Sequence, residues 1–211
     1  MGGLTIDAPV PGLSDDRVPA EDGAAPPRPT RRDGIMSAAV VVLAERGPRG
    51  FTHRAVDAQA GLGQGAVNYH APSRSKLLSL ALEEVFRRDT ETVIRHFALD
   101  DWSPDTVVAA MTAFIDDMTT GENRMRVIAR HHLRGESVTS PEVKTAFDEQ
   151  QAVFVRTVQD GFASAGHPIG LARAELFRIA VDGLLSRQVM YGAEPLTADV
   201  IEEIARRLVE S

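Results

Sequence analysis

The chain has 211 residues, 43% of them hydrophobic, so it can bury a substantial core in one large domain or two small ones. It contains no cysteine, which excludes disulfides, thiolate metal sites and cysteine nucleophiles, and which fits a reducing, cytoplasmic location. No run approaches about 20 apolar residues, and no basic segment leads into an apolar run at the N-terminus, so we expect neither a membrane-spanning helix nor a secretory signal.

The net charge of -7 is unevenly distributed along the chain. Residues 31–78 carry seven basic and three acidic side chains, a net charge of +4, whereas residues 79–211 have a net charge of -8. Binding to phosphate depends on the charge of one face rather than on that of the whole molecule. The acidic total therefore does not exclude a nucleic-acid partner for the basic segment.

Residues 1–29 have a composition typical of disordered segments. They are rich in Pro, Gly, Ala and Asp, and no apolar residue recurs at a spacing that would bury one face of a helix or strand. We therefore predict a disordered N-terminal tail over 1–29, with folded structure beginning at Thr30.

Three short helices are predicted after the tail. The first has apolar residues at helical spacing after Thr30, and it stops at the Gly47-Pro48 pair. The second begins at Thr52, a good N-cap, and ends at Gly61, which can adopt the left-handed conformation of a sharp turn. The third extends over 63–70.

The rest of the sequence predicts further helices and no strand. Gly, Ser and Pro residues separate segments with helical periodicity, and Ser73 is the N-cap of the first of these segments. The fold class is therefore all-α with about nine helices, divided into a three-helix unit over 30–78 and a larger helical domain over 79–211. The predicted later helices cover 73–98, 104–120, 122–134, 141–165, 170–191 and 197–210.

The order helix, tight turn, helix over residues 51–70 is typical of a DNA-binding helix-turn-helix, whose second helix enters the major groove. Small residues at the turn, Ala60 and Gly61 among them, let the two helices approach closely. Polar side chains on the second helix then face the base edges, where amides pair well with adenine. The predicted base or backbone contacts are Gln64, Asn68, Tyr69 and His70.

Basic and hydroxyl side chains also cluster where the predicted helices begin. Backbone N–H groups at a helix N-terminus, together with the helix dipole, favour phosphate binding. We therefore predict DNA-backbone contacts by Arg31, Thr52, His53, Arg54, Ser73, Arg74 and Lys76.

Several short motifs in this region resemble the DNA reader of the TetR family of transcriptional regulators. They are an Ala-Ala pair in the first helix, Glu-Arg-Gly at its end, Thr-x-Arg, Ala-Gly-Leu, and a His before Ser-Arg-x-x-Leu-Leu. The resemblance covers about 31–80. It implies a homodimeric, sequence-specific DNA-binding protein, in which a helical effector-binding domain follows the reader and the last two helices form a dimeric four-helix bundle.

The chain departs from the TetR pattern at four positions. Asp57 stands where the family usually has alanine, Asn68 stands near the family's phosphate-contacting tyrosine, and Ala71 replaces a phenylalanine. Gly63 stands where a serine N-cap is usual, so we expect the third helix to be capped by backbone only. These departures leave open a helical dimerisation or scaffold protein that no longer reads DNA.

Apolar and aromatic side chains of the larger domain are candidates for a small-molecule pocket. Flexible methionines and aromatic rings suit an adaptable apolar cavity, although each of them also suits ordinary core packing. A small helical enzyme or carrier that uses such a cavity is a second alternative. The candidate effector residues are Met111, Phe114, Met118, Arg130, Phe147, Phe154 and Met190.

Arg126, Arg130 and Arg134 recur every four residues and so share one helix face. We interpret this face as solvated, with two alternatives: it steers an anionic effector, or it bonds nearby acids such as Asp116 and Asp117. The adjacent residues His131 and His132 point about 100° apart on a helix and lack further ligands at metal-binding spacing. We therefore expect no metal, no cofactor and no catalytic residue.

The apolar stripes of the last two predicted helices indicate a homodimer interface. A two-fold dimer requires a palindromic operator, with half-sites about 34 Å apart or a multiple of that distance. The sequence therefore predicts a repressor that a small-molecule effector releases from its operator. The candidate interface residues are Leu176, Ile179, Gly183, Leu184, Val200, Ile201, Ile204 and Leu208.

Overall fold

The computed structural model describes residues 30–191 and 194–210, so the predicted tail at 1–29 lies outside the described residues. Within the described part the chain forms nine α-helices and no strand, which confirms the predicted all-α class. In chain order the helices are α1 (Arg31–Gly50), α2 (His53–Gln59), α3 (Ala66–His70), α4 (Arg74–Phe97), α5 (Pro104–Thr119), α6 (Gly121–Glu136), α7 (Pro141–Ser164), α8 (Leu171–Val189) and α9 (Ala198–Glu210).

Side-chain caps fix the starts of three of the first four helices. Thr30 and Asp33 form a reciprocal capping box at the start of α1. The side chains of Thr52 and Ser73 accept hydrogen bonds from backbone N–H groups in the first turns of α2 and α4. The predicted stop at Gly47 is a kink: the residue has φ 61° and ψ -175°, and a last short turn follows it to Gly50.

Helix α3 is shorter than the predicted segment 63–70. It begins at Ala66, because Gly65 adopts φ 90° and ψ -3°, a left-handed conformation that cannot lie inside a right-handed helix. Residues 63–65 therefore belong to the turn before α3. Helix α3 itself has only a little more than one turn.

The buried hydrophobic residues of the described part form two separate cores. The first is built from α1 to α4, and it also includes Ala129 and Leu133 of α6 and Val143 and Phe147 of α7. The second is built mainly from α5, the later part of α7, α8 and α9. Because α6 and α7 contribute to the first core, the N-terminal helices pack directly on the larger domain. No helix in 30–191 or 194–210 has the length and apolar character needed to cross a membrane.

Gly161 of α7 is the point where that helix approaches Trp102. A Cβ atom built on Gly161 would lie 2.2 Å from two atoms of the Trp102 ring. Trp102 is itself buried and makes edge contacts with Phe162. A side chain at Gly161 therefore requires the indole to move within a packed core.

We expect Gly161→Ala to lower the free energy of unfolding by about 1–3 kcal/mol, because the added methyl overpacks the Trp102 contact. Gly34→Ala is the matched control, since nothing lies within 4 Å of the added Cβ in α1. That change should raise stability by about 0.5–1 kcal/mol through helix propensity. Urea unfolding measures both, and equal stabilisation by the two substitutions would contradict the packing.

Candidate DNA-binding and effector sites

Asp57 of α2 holds the start of α3. Its carboxylate oxygens accept hydrogen bonds from the backbone N–H groups of Gly65 and Val67, each at 2.8 Å. The Asp57 side chain is buried, with 3% of its surface exposed. An acidic group at a helix N-terminus satisfies free N–H groups and interacts favourably with the helix dipole.

This arrangement corrects the expectation that the third helix is capped by backbone only. The capping oxygen comes from the preceding helix instead of from the residue before α3, where glycine has no side chain. Asp57, which stood out as a departure from the TetR pattern, thus has a structural role in the reader. It does not indicate that the reader has been lost.

Ala71, another departure from the TetR pattern, lies fully buried in the first core. Its carbonyl oxygen is 2.6 Å from Nε2 of His53, a hydrogen bond between the end of α3 and the start of α2. The junction after α3 is therefore closed by a polar contact and by the small Ala71 side chain, without a large aromatic ring.

Nine of the predicted DNA contacts are exposed at the surface, and for six of these, the exposed set below, the side chain makes no hydrogen bond or ion pair within the described residues. Tyr69 is the most prominent, with 88% of its surface exposed at the tip of α3. His70 is half-buried, and its ring packs edge-on against Tyr69 with ring centroids 5.3 Å apart. The exposed set is Arg31, Arg54, Gln64, Asn68, Tyr69 and Lys76.

The side chains of four other candidates are engaged within the protein. The hydroxyls of Thr52 and Ser73 cap α2 and α4, and the His53 ring bonds Ala71. Arg74 donates to the backbone carbonyls of Phe51 at 2.8 Å and Pro48 at 3.0 Å, and it lies 3.5 Å from a Glu136 carboxylate oxygen. These side chains shape the reader, and Arg74 also links it to the C-terminal end of α6.

A cavity of about 70 Å³ lies between α4, α5, α6, α7 and α8. Phe114, Arg130, Phe147 and Phe154 are on its wall, as the effector hypothesis requires. Met111 and Met118 lie in the second core and Met190 packs against it, so these methionines do not line this cavity. The cavity residues that the sequence did not single out are Phe86, Asp89, Val93, Arg134, Gln150, Gln151, Arg178, Val181 and Asp182.

The arginine face of α6 is not solvated, contrary to the interpretation of the sequence. Arg126 is buried and donates to Asp89 at 2.6 Å and to the Thr92 hydroxyl at 2.8 Å. Arg130 reaches the other oxygen of Asp89 at 3.2 Å. The partners of this face come from α4 and α8, and neither Asp116 nor Asp117 contacts it.

Asp182 of α8 joins the remaining charges of the cavity. It accepts from Arg134 at 3.0 Å and from Arg178 at 3.2 Å, and it lies 3.9 Å from Arg130. The Arg134 guanidinium also lies over the Phe147 ring, 5.3 Å from its centroid. The cavity lining therefore combines bonded charged side chains with aromatic and aliphatic ones.

An open groove of about 250 Å³ adjoins the cavity. It lies between α4 and α7, and it shares Val93, Gln150 and Phe154 with the cavity wall. Its remaining surface is mainly apolar. The three shared side chains form a common wall between the cavity and the groove.

Two titratable groups near these helices, Asp117 and His132, have shifted pKa values. The His96 ring packs edge-on against Phe114 and lies 2.9 Å from Asp117, and this hydrogen bond lowers the pKa of the Asp117 carboxyl. Burial, followed by the charge of His131, lowers the pKa of His132. In the described ranges no three or more His, Asp or Glu residues form a potential metal site.

The predicted dimer residues separate into two groups. Leu184, Ile201 and Leu208 are buried in the protomer's own second core, and Ile204 packs against that core. These four therefore support the fold of the protomer itself. The others lie on the outer surface: Leu176, Ile179, Gly183 and Val200.

Two family models match the chain. Residues 35–81 match the model described as "Bacterial regulatory proteins, tetR family". Residues 102–211 match the model described as "Tetracyclin repressor-like, C-terminal domain". Together they cover the reader and most of the larger domain. A search of curated proteins finds no match.

Several solved structures share the fold. A TetR-family regulator from Rhodococcus sp. has 21% sequence identity and a TM-score of 0.70, over 85% of this chain and 97% of that one. A TetR-family member from Streptomyces coelicolor A3 has 22% identity and a TM-score of 0.71, over 85% and 98%. The multidrug binding protein EbrR complexed with ethidium has 22% identity and a TM-score of 0.65, over 86% and 99%.

We expect Asp57→Ala to lower the free energy of unfolding by about 1–3 kcal/mol, because the Val67 N–H stays buried without its acceptor. Asp57→Asn, which keeps one acceptor oxygen, should lose about half as much. Asp160→Ala, at an exposed position on α7, is the control and should be neutral. Urea unfolding and hydrogen exchange at the Val67 amide measure the effect, and unchanged amide protection in Asp57→Ala would contradict the cap.

Proposed function

Because the chain belongs to the TetR family of bacterial transcriptional regulators, we propose that it is a homodimeric repressor that a small molecule releases from a palindromic operator. It is a ligand-responsive, DNA-binding regulator. The proposal adds the dimer, the operator symmetry, the direction of regulation and the residues that do the work. It also implies action in the cytoplasm, where the operator lies, and no enzymatic turnover.

The observation that carries the DNA-binding proposal is the exposed polar surface of α3 and of the turn before it, a segment that the Asp57 carboxylate fixes through two hydrogen bonds. Gln64 and Asn68 present amides that can pair with base edges, and Tyr69 projects beyond them. Arg54 and Lys76 flank this face with exposed positive charge, which suits phosphate contacts that position the reader. The scaffold alternative rests on departures from the TetR pattern. Two of these departures, Asp57 and Ala71, have structural roles in the helix-turn-helix and so do not favour that alternative.

The proposed dimer interface is the outer face of α8. Leu176 and Ile179 have 46% and 54% of their surfaces exposed, and Gly183 continues the same face one turn later. Exposed apolar residues at helical spacing are the usual sign of a helix that packs against a partner. Val200 of α9, with 40% of its surface exposed, extends the patch. A two-fold axis through this face presents two readers to one duplex.

The proposed route from effector to DNA passes through α6. Ala129 and Leu133 of this helix lie in the first core, which α6 shares with α1, while Arg130 and Arg134 line the cavity. Glu136 at its C-terminal end contacts Arg74, which braces the reader. A ligand that prefers one position of α6 therefore shifts the separation of the readers. A tenfold loss of DNA affinity requires about 1.4 kcal/mol of coupling.

We expect Ile179→Glu to convert the dimer to a monomer, because it places a charge in the centre of an apolar interface. Val138→Glu is the control: Val138 is 85% exposed, lies outside α8 and α9, and should leave the dimer intact. Sizing with light scattering at micromolar concentration measures the state. A wild-type monomer, or a dimer that tolerates Ile179→Glu, would count against the α8 interface.

Arg54→Ala and Lys76→Ala should each weaken DNA binding evenly across sequences and flatten the salt dependence by about 0.9 in log-log slope. Gln64→Ala and Asn68→Ala should instead change the preferred base at one position of each half-site, at a cost of about 1–3 kcal/mol. Selection on a random duplex library, followed by anisotropy at several salt concentrations, separates these effects.

Arg156→Ala, an exposed arginine of α7, is the control for the charge variants and should change neither slope nor preference. An enriched inverted repeat in the library supports the dimeric reader. Failure of the wild-type protein to enrich any duplex would overturn the DNA-binding proposal.

A further inference from the structure

The charges that line the cavity are unequal in number. Three arginines and two aspartates face it, so the lining has one positive charge in excess. The partners behind this lining do not change the balance, since Arg126 bonds Asp89 and Glu175 bonds Arg178. The lining is partly open to solvent, with 40% of the Arg134 side chain exposed, and an anionic ligand would balance its excess positive charge. The three lining arginines are Arg130, Arg134 and Arg178.

Each of the two cavity carboxylates is bound by two arginines, and both hydrogen bonds to Asp182 fall on its Oδ2 atom. Asp182 accepts from Arg134 and Arg178, and Asp89 accepts from Arg126 and Arg130. Each guanidinium has five donors in a planar fork, so the arginines have more donors than these two carboxylates can accept. A second carboxylate beside Asp182 would accept from the remaining donors, whereas a cationic ligand would add to the positive charge that the lining already has in excess.

The uncharged part of the cavity lining favours a flat, apolar ligand. Phe86, Phe114, Phe147 and Phe154 supply aromatic surface, and the shared wall at Val93 leads into the open groove. The volume of about 70 Å³ is smaller than the usual ligand site, so a ligand must extend past Val93 and Phe154 into the groove. Phe86 and Phe147 pack edge-to-face with ring centroids 5.1 Å apart, and an aromatic ligand can pack edge-on or offset against such rings.

We propose that the effector of this protein is a small aromatic acid, whose carboxylate binds Arg134 and Arg178 beside Asp182 while its ring system packs against the phenylalanine side chains of the lining. This inference rests on the proposed effector function of the cavity and adds the chemical class of the ligand. The class differs from that of the ethidium bound by EbrR, which is a cation.

The test uses three compounds with one ring system and different charge: 2-naphthoate, the neutral 2-naphthamide and the cationic 2-naphthylmethylammonium. Isothermal titration calorimetry on the full-length protein measures the affinity of each. We expect 2-naphthoate to bind about tenfold or more tightly than the amide, and the ammonium compound to bind most weakly. Equal or tighter binding of the amide or the ammonium compound, or no binding of any of the three, overturns the proposal.

Two substitutions with opposite effects locate the binding. Arg134→Gln should weaken 2-naphthoate about tenfold and leave 2-naphthamide unchanged. Asp182→Asn removes the competing carboxylate and should strengthen 2-naphthoate several-fold, a gain that misfolding cannot produce. Arg124→Gln, an exposed arginine of α6 that does not line the cavity, is the control. Unchanged 2-naphthoate affinity in both cavity variants overturns the assigned site.

DNA affinity measured with the same compounds separates the two proposals. If 2-naphthoate binds as expected but leaves affinity for the selected duplex unchanged, the aromatic-acid site stands and effector-controlled release falls. If the amide or the ammonium compound binds best and releases DNA, effector-controlled release stands and the charge preference falls.

Discussion

Helix α6 has to satisfy two environments at once, and the rest of the structure depends on how it does so. One face contributes Ala129 and Leu133 to the core of the N-terminal helices, and the next face carries arginines bound to Asp89 and Asp182. Packed side chains allow little independent movement, so a shift of α6 at the cavity has to be accommodated against α1. Buried ion pairs contribute little net stability but have strict geometry, which makes them suitable for setting the position of a helix.

In the helix-turn-helix, too, a few contacts fix the position of one helix, here α3. Helix α3 is too short to be stable alone, so its position is fixed by Val67 in the first core and by the Asp57 carboxylate at its start. His53 and Arg74 then hold the chain on either side of it through backbone carbonyls. The side chains that remain exposed are free to meet DNA because these others are committed to the scaffold.

The helices could be predicted from the sequence because their ends depend on local signals. Thr30, Thr52 and Ser73 cap the helices that follow them, and Gly47 breaks α1 where the sequence indicates. The start of α3 could not be predicted, because its capping carboxylate lies ten residues before Val67 in the chain. Local patterns do not contain such partners.

The candidate sites were predictable only in part for the same reason. Helical spacing correctly places Arg126, Arg130 and Arg134 on one face, but it does not identify what that face meets, and Asp89 is 37 residues away from Arg126. Residue type also does not distinguish a cavity wall from a solid core, so Met111 and Phe114 were equal candidates although only Phe114 lines the cavity. Residue type likewise does not separate the predicted dimer residues that lie in the second core from those that are exposed on the surface.

The central claim is that cavity occupancy changes the separation of the two readers through α6. Because the chain has no cysteine, Gln59→Cys gives a single spin-label site on the exposed side of α2 in each protomer. Pulsed electron spin resonance then measures the distance between the labels in the dimer, with operator DNA or with saturating 2-naphthoate. The account predicts one narrow distance on DNA and a distribution displaced from it by several ångströms with the acid, with no such displacement in Arg134→Gln. A distance distribution that the bound acid leaves unchanged from that on DNA would contradict it.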